Sequence, residues 1–149
     1  MSTHSELAKE LFLKGYNCSQ SVFAAFCDET GLDTDTALKV ASSFGGGMGG
    51  LQGVCGAVSG MFMVVGMKYG YTHPPDKTAK KEFYGLIKHL AKQFEKEEGS
   101  IICRELLDLL IKNNYPGSGG KRHFCAGLVE QAARLLDEYI LEKNKRSDS

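Results

Sequence analysis

Residues 53–67 read GVCGAVSGMFMVVGM, a run of small and apolar residues that contains no charged side chain. Apolar residues occur all around the helical period, which is typical of a helix buried on every face. The run is too short and too rich in glycine for a membrane span, which needs about 20 apolar residues. We therefore predict a buried central helix and no insertion into a membrane.

The rest of the chain has helical periodicity, and capping residues mark several helix ends. Asn17 and Gln20 form a predicted capping box at the start of the second helix, and Gly31 follows its end. No stretch alternates convincingly at period two, so no strand is expected. The predicted helices cover about residues 6–13, 18–30, 34–44, 53–67, 76–98, 100–112 and 122–142. This pattern predicts an all-α fold, a single-domain bundle of six or seven helices over residues 1–142, with a polar tail at residues 143–149.

Charge and the N-terminal sequence exclude several function classes. The 149 residues include 18 Lys and Arg against 18 Asp and Glu, so the formal net charge is zero. This balance offers no basic excess for nucleic acid, and we predict no nucleic-acid partner. The residues after Met1 lack the apolar region of a secretory signal peptide, so we expect a cytoplasmic protein. Persistent disulfides are rare there, and several cysteines more often indicate metal binding or redox chemistry.

Four of the five cysteines occur at predicted helix starts, namely Cys18, Cys55, Cys103 and Cys125. A helix start offers free backbone N–H groups and a partial positive charge, which both stabilise a thiolate. We therefore expect lowered pKa values for these thiols. Cys103, three residues after the predicted cap Ser100, and Cys125 lie on apolar stripes, so their sulfurs should face the interior. We infer that the four cysteines converge on one partly buried site.

Basic residues flank two of these cysteines. Arg104 follows Cys103, and the Lys-Arg-His run at residues 121–123 stands just before Cys125. Positive charge near a thiol favours its ionised form. These residues should therefore lower the two thiol pKa values further.

Cys27 differs from the other four cysteines. It lies nine residues after Cys18, so it points to the opposite side of the same predicted helix. Its position near the end of that helix disfavours a thiolate, and we predict a packed structural thiol. The chain has no CxxC pair, so the thioredoxin-type motif and the usual zinc-ribbon signature are both absent.

The cysteine pattern resembles that of a known family. Cys18, the CGAxxG motif at residues 55–60, and the single Cys103 and Cys125 are similar to the C_GCAxxG_C_C family of redox-active proteins. The resemblance extends from residue 15 to the helix that contains Cys125, and Cys27 matches none of the four signature cysteines. It implies a small helical protein with electron-transfer or thiol redox chemistry, whose members hold an iron–sulfur or other metal centre.

Glycines surround the motif and suggest a crowded site. Gly53, Gly56 and Gly60 permit close approach by a cofactor or by another helix, and both interpretations stay open. The run GGGMGG at residues 45–50 formally matches GxGxxG, but it lacks the preceding strand and the later acidic residue of a dinucleotide site. We interpret it as a flexible loop over the cysteine site.

The sequence supports three functional hypotheses. The leading one is a redox protein in which Cys18, Cys55, Cys103 and Cys125 ligate an iron–sulfur cluster for electron transfer to a partner protein. Zinc is the alternative metal. The second hypothesis is an oxidoreductase in which two of these cysteines form a reversible disulfide. The third is a metal-free interaction module, for which a homodimer is one arrangement.

Overall fold

The computed structural model describes residues 3–113 and 120–147, and these residues form eight α-helices. The helices are α1 (Thr3–Leu13), α2 (Cys18–Ala25), α3 (Cys27–Thr30), α4 (Thr34–Ala41), α5 (Gly56–Tyr69), α6 (Lys77–Glu98), α7 (Cys103–Lys112) and α8 (Gly120–Ser147). The turn Gly45–Met48 is not counted, because Gly46 and Gly47 have left-handed backbone angles. The described residues contain no strand, only one isolated antiparallel bridge between Val54 and Ile102. The predicted all-α fold is confirmed.

The central helix is α5. Its residues Val58, Met61, Val64 and Val65 are fully buried, in agreement with the all-round apolar sequence. The helix packs most extensively against α2 and also contacts α6 and α8. The approach to α2 is close, because a β-carbon at Gly60 would lie 2.8 Å from the carbonyl oxygen of Ser19. The buried glycine-rich helix around which the chain packs is therefore present as predicted.

Capping residues place most helix starts where local sequence predicts them. Asn17 accepts the Gln20 backbone N–H at 2.9 Å, and the Gln20 side chain accepts the Asn17 N–H at 3.0 Å, which completes the capping box. The helix predicted for residues 18–30 is interrupted at Phe26, whose φ of −108° and ψ of 23° leave the helical region. The single turn α3 then ends at Gly31, with φ of 80°.

Several helix ends differ from the prediction by two to five residues; α5, for example, begins at Gly56 rather than at residue 53. Ser100 is not the cap of α7, because Ile102 occupies that position. The Ser100 hydroxyl instead accepts the Ile102 N–H at 2.9 Å and donates to the Glu105 carboxylate. At the other end of the chain, α8 begins at Gly120 and runs to Ser147, so residues 143–147 are helical where a tail was predicted. An ion pair one helical turn apart, Glu142 with Arg146, accompanies this extension.

Residues 114–119, which follow α7 and precede α8, lie outside the described part of the chain. None of the described helices is long and apolar enough to cross a membrane.

The first helix is held to the bundle by His4. Its Nδ1 lies 2.7 Å from an Asp137 carboxylate oxygen on α8, and its Nε2 lies 2.9 Å from Asp28 on α3. The imidazole ring also stacks on Phe26, with 4.2 Å between the ring centroids. One side chain thus ties the N-terminal helix to two others.

This junction should lose stability as the pH rises. Burial lowers the pKa of His4, but the hydrogen bonds and charges of Asp28 and Asp137 outweigh burial and raise the pKa above 6.5. A raised folded-state pKa gives a stabilisation that is complete below the unfolded-state pKa and is lost as the pH rises through the folded-state value. His4→Phe keeps an aromatic ring on Phe26 and should cost about 1 kcal/mol near about pH 6, but less near about pH 9. Urea unfolding of both proteins over this range measures the cost, and a cost independent of pH would contradict the assignment.

Candidate cysteine site

Two segments far apart in sequence bring Cys55 and Cys103 onto neighbouring backbones. The Cys55 N–H donates to the carbonyl of Ile101 at 2.7 Å, and the Cys103 N–H donates to the carbonyl of Gly53 at 2.6 Å. These bonds flank the bridge between Val54 and Ile102. Cys55 is the N-cap of α5 and Cys103 is the first residue of α7, so both cysteines stand at helix starts.

The glycine loop, residues 45–50, lies beside this pair. A β-carbon at Gly47 would lie only 2.8 Å from the Cβ atom of Cys103, so the loop backbone touches that cysteine. The N–H groups of Gln52 and Gly53 donate to the carbonyls of Gly46 and Gly47, at 3.1 and 2.9 Å. The segment before the loop is the 3₁₀ turn Ser42–Phe44 rather than a strand. This excludes the strand–loop–helix arrangement of a dinucleotide site.

Cys18 reaches the same region from α2. It is the first residue of that helix, and its sulfur occupies the space where a β-carbon of Gly56 would stand. Gly56 also lies close to the Phe44 carbonyl oxygen and the Ser19 nitrogen, at 3.1 and 3.2 Å from the same position. The absence of a side chain at Gly56 therefore makes room for the Cys18 sulfur beside Cys55.

Electrostatic coupling connects Cys18 with the other three cysteines. Burial raises the pKa of Cys55 to about 12, and the charge of Cys18 raises it as well. Burial followed by the charge of Cys18 also raises the pKa of Cys125 to about 11. The pKa of Cys103 is raised by the same two causes in the same order. Cys18 is thus a common electrostatic neighbour of the three, so the structure brings the four predicted residues into one region.

The expected lowering of the thiol pKa values is wrong for Cys55, Cys103 and Cys125. Favourable interactions do exist, since the backbone N–H groups of Ala57 and Val58 lower the pKa of Cys55, although the Cys55 side chain makes no capping hydrogen bond. Burial outweighs them, because removing a thiolate from water costs more than these dipoles return. Likewise, the charge of Lys121 lowers the pKa of Cys103 and Cys125 without reversing the shift.

Two cysteine positions also need correction. Cys103 is the first residue of α7 rather than the third, because the helix cap is Ile102. Cys125 lies in the second turn of α8 rather than the first, because that helix begins at Gly120. Cys125 is partly buried there and sits farther from the helix dipole's positive end than expected.

Cys27 lies apart from the four. It is the first residue of α3 and packs against the hydrophobic core. Burial raises its pKa, a hydrogen bond with Thr34 lowers it, and the charges of Asp28 and Asp33 raise it. Its electrostatic neighbours therefore belong to α3 and the start of α4, not to the region of Cys18.

The three glycines of the predicted cofactor contact have visible packing roles. Gly56 and Gly60 face the backbone of α2, and the Gly53 carbonyl binds the Cys103 N–H. The loop predicted over the cysteine site does lie there, but Gly47 was not singled out within it as the glycine whose backbone touches the Cys103 side chain. Such a contact between distant segments leaves no periodic signal in the sequence.

The distances between the cysteine sulfurs can be compared with those that a bound metal ion would require. All five cysteines are free thiols. Within the described residues, only His4, Asp28 and Glu29 form a trio of possible ligand atoms all within 4.8 Å of one another, so no three cysteine sulfurs are that close. A single zinc ion with four thiolates at 2.3 Å would place its sulfurs about 3.8 Å apart. The His4 trio is already engaged in ion pairs, His4 with Asp28 and Glu29 with Lys68.

Comparison with known proteins identifies the family. Residues 16–139 match the family described as "Putative redox-active protein (C_GCAxxG_C_C)". No curated protein and no solved structure matches the chain. The motif of this chain begins Cys55-Gly56, whereas the family's name has Gly before Cys. In the structure, Cys55 is the N-cap of α5 and Gly56 is the first residue of the helix. A match of this length, spanning all four cysteines of the pattern, shows that the chain belongs to this family of redox-active proteins.

Proposed function

We propose that Cys18, Cys55, Cys103 and Cys125 ligate an iron–sulfur cluster, and that the protein transfers electrons to or from a partner protein. The observation that carries this proposal is the placement of Cys18 against Gly56, next to Cys55, which is itself bonded through the backbone to the segment of Cys103. Cys18, Cys55 and Cys103 stand at the starts of α2, α5 and α7, and Cys125, in the second turn of α8, is close enough to be affected by the charge of Cys18. Four thiolates complete the ligand set of either common cluster type. When bound, such a cluster supplies one-electron chemistry.

The electrostatics of the site favour a bound cation over free thiolates. Buried thiolates that repel one another are costly, and burial and mutual charge keep three of these thiols protonated at neutral pH. Metal ligation replaces the thiol protons and offsets the negative charge. A thiol–disulfide enzyme needs a thiol of low pKa as its nucleophile, so the raised values support it less well.

The spacing of the sulfurs favours a cluster over zinc. Each thiolate of a four-iron cluster binds a different iron atom, so its sulfurs need not approach to the spacing of a single zinc ion. The wider placement of the cysteines is compatible with that requirement. The backbone N–H groups of Ala57 and Val58, which act to lower the pKa of Cys55, would then tune the reduction potential.

The burial of Cys55 and the close packing at the neighbouring glycines also support the proposal. Cys55 is only 4% exposed, which keeps water from that ligand. Gly53 and Gly56 leave space along the backbone next to it, and Gly60 lets α2 approach α5. In this proposal, Gly53, Gly56 and Gly60 serve the cluster by allowing the chain to pack closely around its ligands, with Gly56 making room for the Cys18 sulfur.

Elemental analysis after strictly anaerobic purification tests the proposal. We expect about two to four iron atoms per chain with similar acid-labile sulfide, either as purified or after reconstitution with iron and sulfide. Stoichiometric zinc that iron does not displace would overturn the cluster in favour of a structural zinc site. An internal disulfide in the oxidised protein, found by mass spectrometry with no metal after reconstitution, would establish the oxidoreductase instead. A Cys→Ala variant at all four positions that keeps its fold and partners, with neither metal nor disulfide in the parent, would leave only an interaction module.

A further inference from the structure

Two large apolar side chains are exposed on the glycine loop and the residue after it. Leu51 is 77% exposed and Met48 is 41% exposed. They stand next to Cys103, whose Cβ atom the backbone of Gly47 touches. The surrounding segment, residues 42–56, contains no charged residue. Two exposed apolar side chains therefore lie on an uncharged surface segment whose backbone touches one of the four cysteines.

Backbone hydrogen bonds order the main chain that carries Met48 and Leu51. The Leu51 N–H donates to the Met48 carbonyl and the Gly50 N–H to the Gly45 carbonyl, both at 3.1 Å. Met48 has a φ of 69°, a left-handed conformation that is unfavourable for a residue other than glycine. The neighbouring bonds retain this strained geometry. Because the backbone of this segment is already ordered, little backbone entropy is lost when a partner protein covers it.

Basic residues border these apolar side chains. Arg104 follows Cys103 and is exposed, and its backbone N–H donates to the Gln52 carbonyl at 3.2 Å, immediately beside Leu51. Lys121 is exposed and near enough to Cys103 and Cys125 for its charge to act on both. The exposed Arg122 follows it and bonds to the carbonyl of Leu13.

Two exposed basic residues, Arg104 and Lys121, therefore lie close to Cys103. The carboxylate of Glu105, next to Arg104 in sequence, accepts a hydrogen bond from the hydroxyl of Ser100. We call Met48, Leu51, Arg104 and Lys121 the Leu51 face.

We propose that the Leu51 face docks a redox protein that carries acidic residues around its own cofactor. This inference rests on the proposed electron-transfer function and names the partner's chemistry. A small apolar centre within a charged border is the arrangement expected for a short-lived complex, in which charge directs encounter and the apolar anchor sets the register. Docking here would bring the partner's cofactor over Cys103, the cysteine beneath the glycine loop.

Binding of an acidic [2Fe–2S] ferredoxin, measured by calorimetry at low salt, tests this proposal. We expect binding that weakens with added salt, and no comparable binding of basic cytochrome c. Arg104→Glu combined with Lys121→Glu should raise the Kd at least about tenfold, and Leu51→Ser should raise it even at high salt.

A matched double variant, Lys77→Glu with Lys81→Glu, makes the same change in net charge. Both lysines are exposed near the start of α6. At 1.5 Å per residue they lie about 25 Å or more along the helix from Glu98, the end of α6 that is nearer to Cys103 in sequence. The Kd of this control should change by less than about twofold. Failure of ferredoxin to bind, equal binding of cytochrome c, or equal effects of the two double variants would each overturn the proposal.

The binding assay does not depend on the cluster, so the two proposals can fail separately. Iron-loaded protein that does not bind ferredoxin would reject the docking surface and leave the cluster in place. Ferredoxin binding by protein that never takes up iron would reject the cluster alone. A dimer in sedimentation experiments that Leu51→Ser dissociates would assign the face to a second copy of the chain and overturn the acidic partner.

Discussion

Gly56→Ala should destabilise the protein and abolish its retention of iron. The new methyl group would overlap the sulfur of Cys18 and lie 3.1 Å from the carbonyl oxygen of Phe44. It would also lie 3.2 Å from the backbone nitrogen of Ser19, so two of the three obstacles are main-chain atoms. Overpacking of this kind costs about 1 to 3 kcal/mol, and moving the sulfur disrupts the ligand set. Urea unfolding and iron content per chain measure the two effects.

Gly66→Ala is the matched control for this substitution. Gly66 belongs to the same helix, is exposed, and has no atom within 4 Å of the position of a β-carbon. Alanine there should stabilise the helix by up to about 1 kcal/mol and leave iron retention unchanged. If Gly56→Ala behaved like Gly66→Ala, the Cys18 sulfur would not lie against α5, and the arrangement described for the site would be wrong.

Cys55→Ser should remove most of the bound iron while it preserves the fold. Cys55 is the N-cap of α5, and serine is among the residues that helix caps prefer. Its hydroxyl can accept a backbone N–H at the start of α5, as serine caps commonly do. The substitution therefore separates ligation from folding. We expect iron content below about a tenth of the wild-type value after anaerobic reconstitution, with unchanged circular dichroism.

Cys27→Ser provides the comparison. Cys27 lies at the start of α3, and the groups that affect its pKa are Thr34, Asp28 and Asp33 rather than the other cysteines. It should retain iron and the visible absorption of the cluster. Equal loss of iron from both variants would show that ligation does not discriminate between the cysteines. Full retention by Cys55→Ser would remove Cys55 from the ligand set.

Local sequence was sufficient for most of the helical framework. The Asn17–Gln20 capping box, the left-handed Gly31 and the apolar run of α5 all depend on residues within a few positions of one another. Hydrogen bonds at helix ends and helical periodicity are short-range effects, so they can be recognised without knowledge of the fold. The break at Phe26 escaped prediction, because both flanking segments are helical by pattern.

The chemistry of the cysteines depended on contacts between distant segments. The sequence placed Cys55 at a helix start, and the backbone N–H groups of Ala57 and Val58 at that start do act to lower its pKa. It could not reveal how completely other helices cover the thiol, and that burial reverses the expected shift of its pKa. The Val54–Ile102 bridge, which sets Cys55 beside Cys103, is equally invisible in sequence.

The amino-acid sequence alone thus specified the helices, the buried α5 and the family pattern of four cysteines, since these follow from neighbouring residues and their types. The tertiary structure decided that Cys18 fills the space beside Gly56 and that the four thiols share one region. It also decided the direction of the thiol pKa shifts. Desolvation and charge coupling are sums over atoms from every surrounding helix, and only the folded chain brings those atoms together.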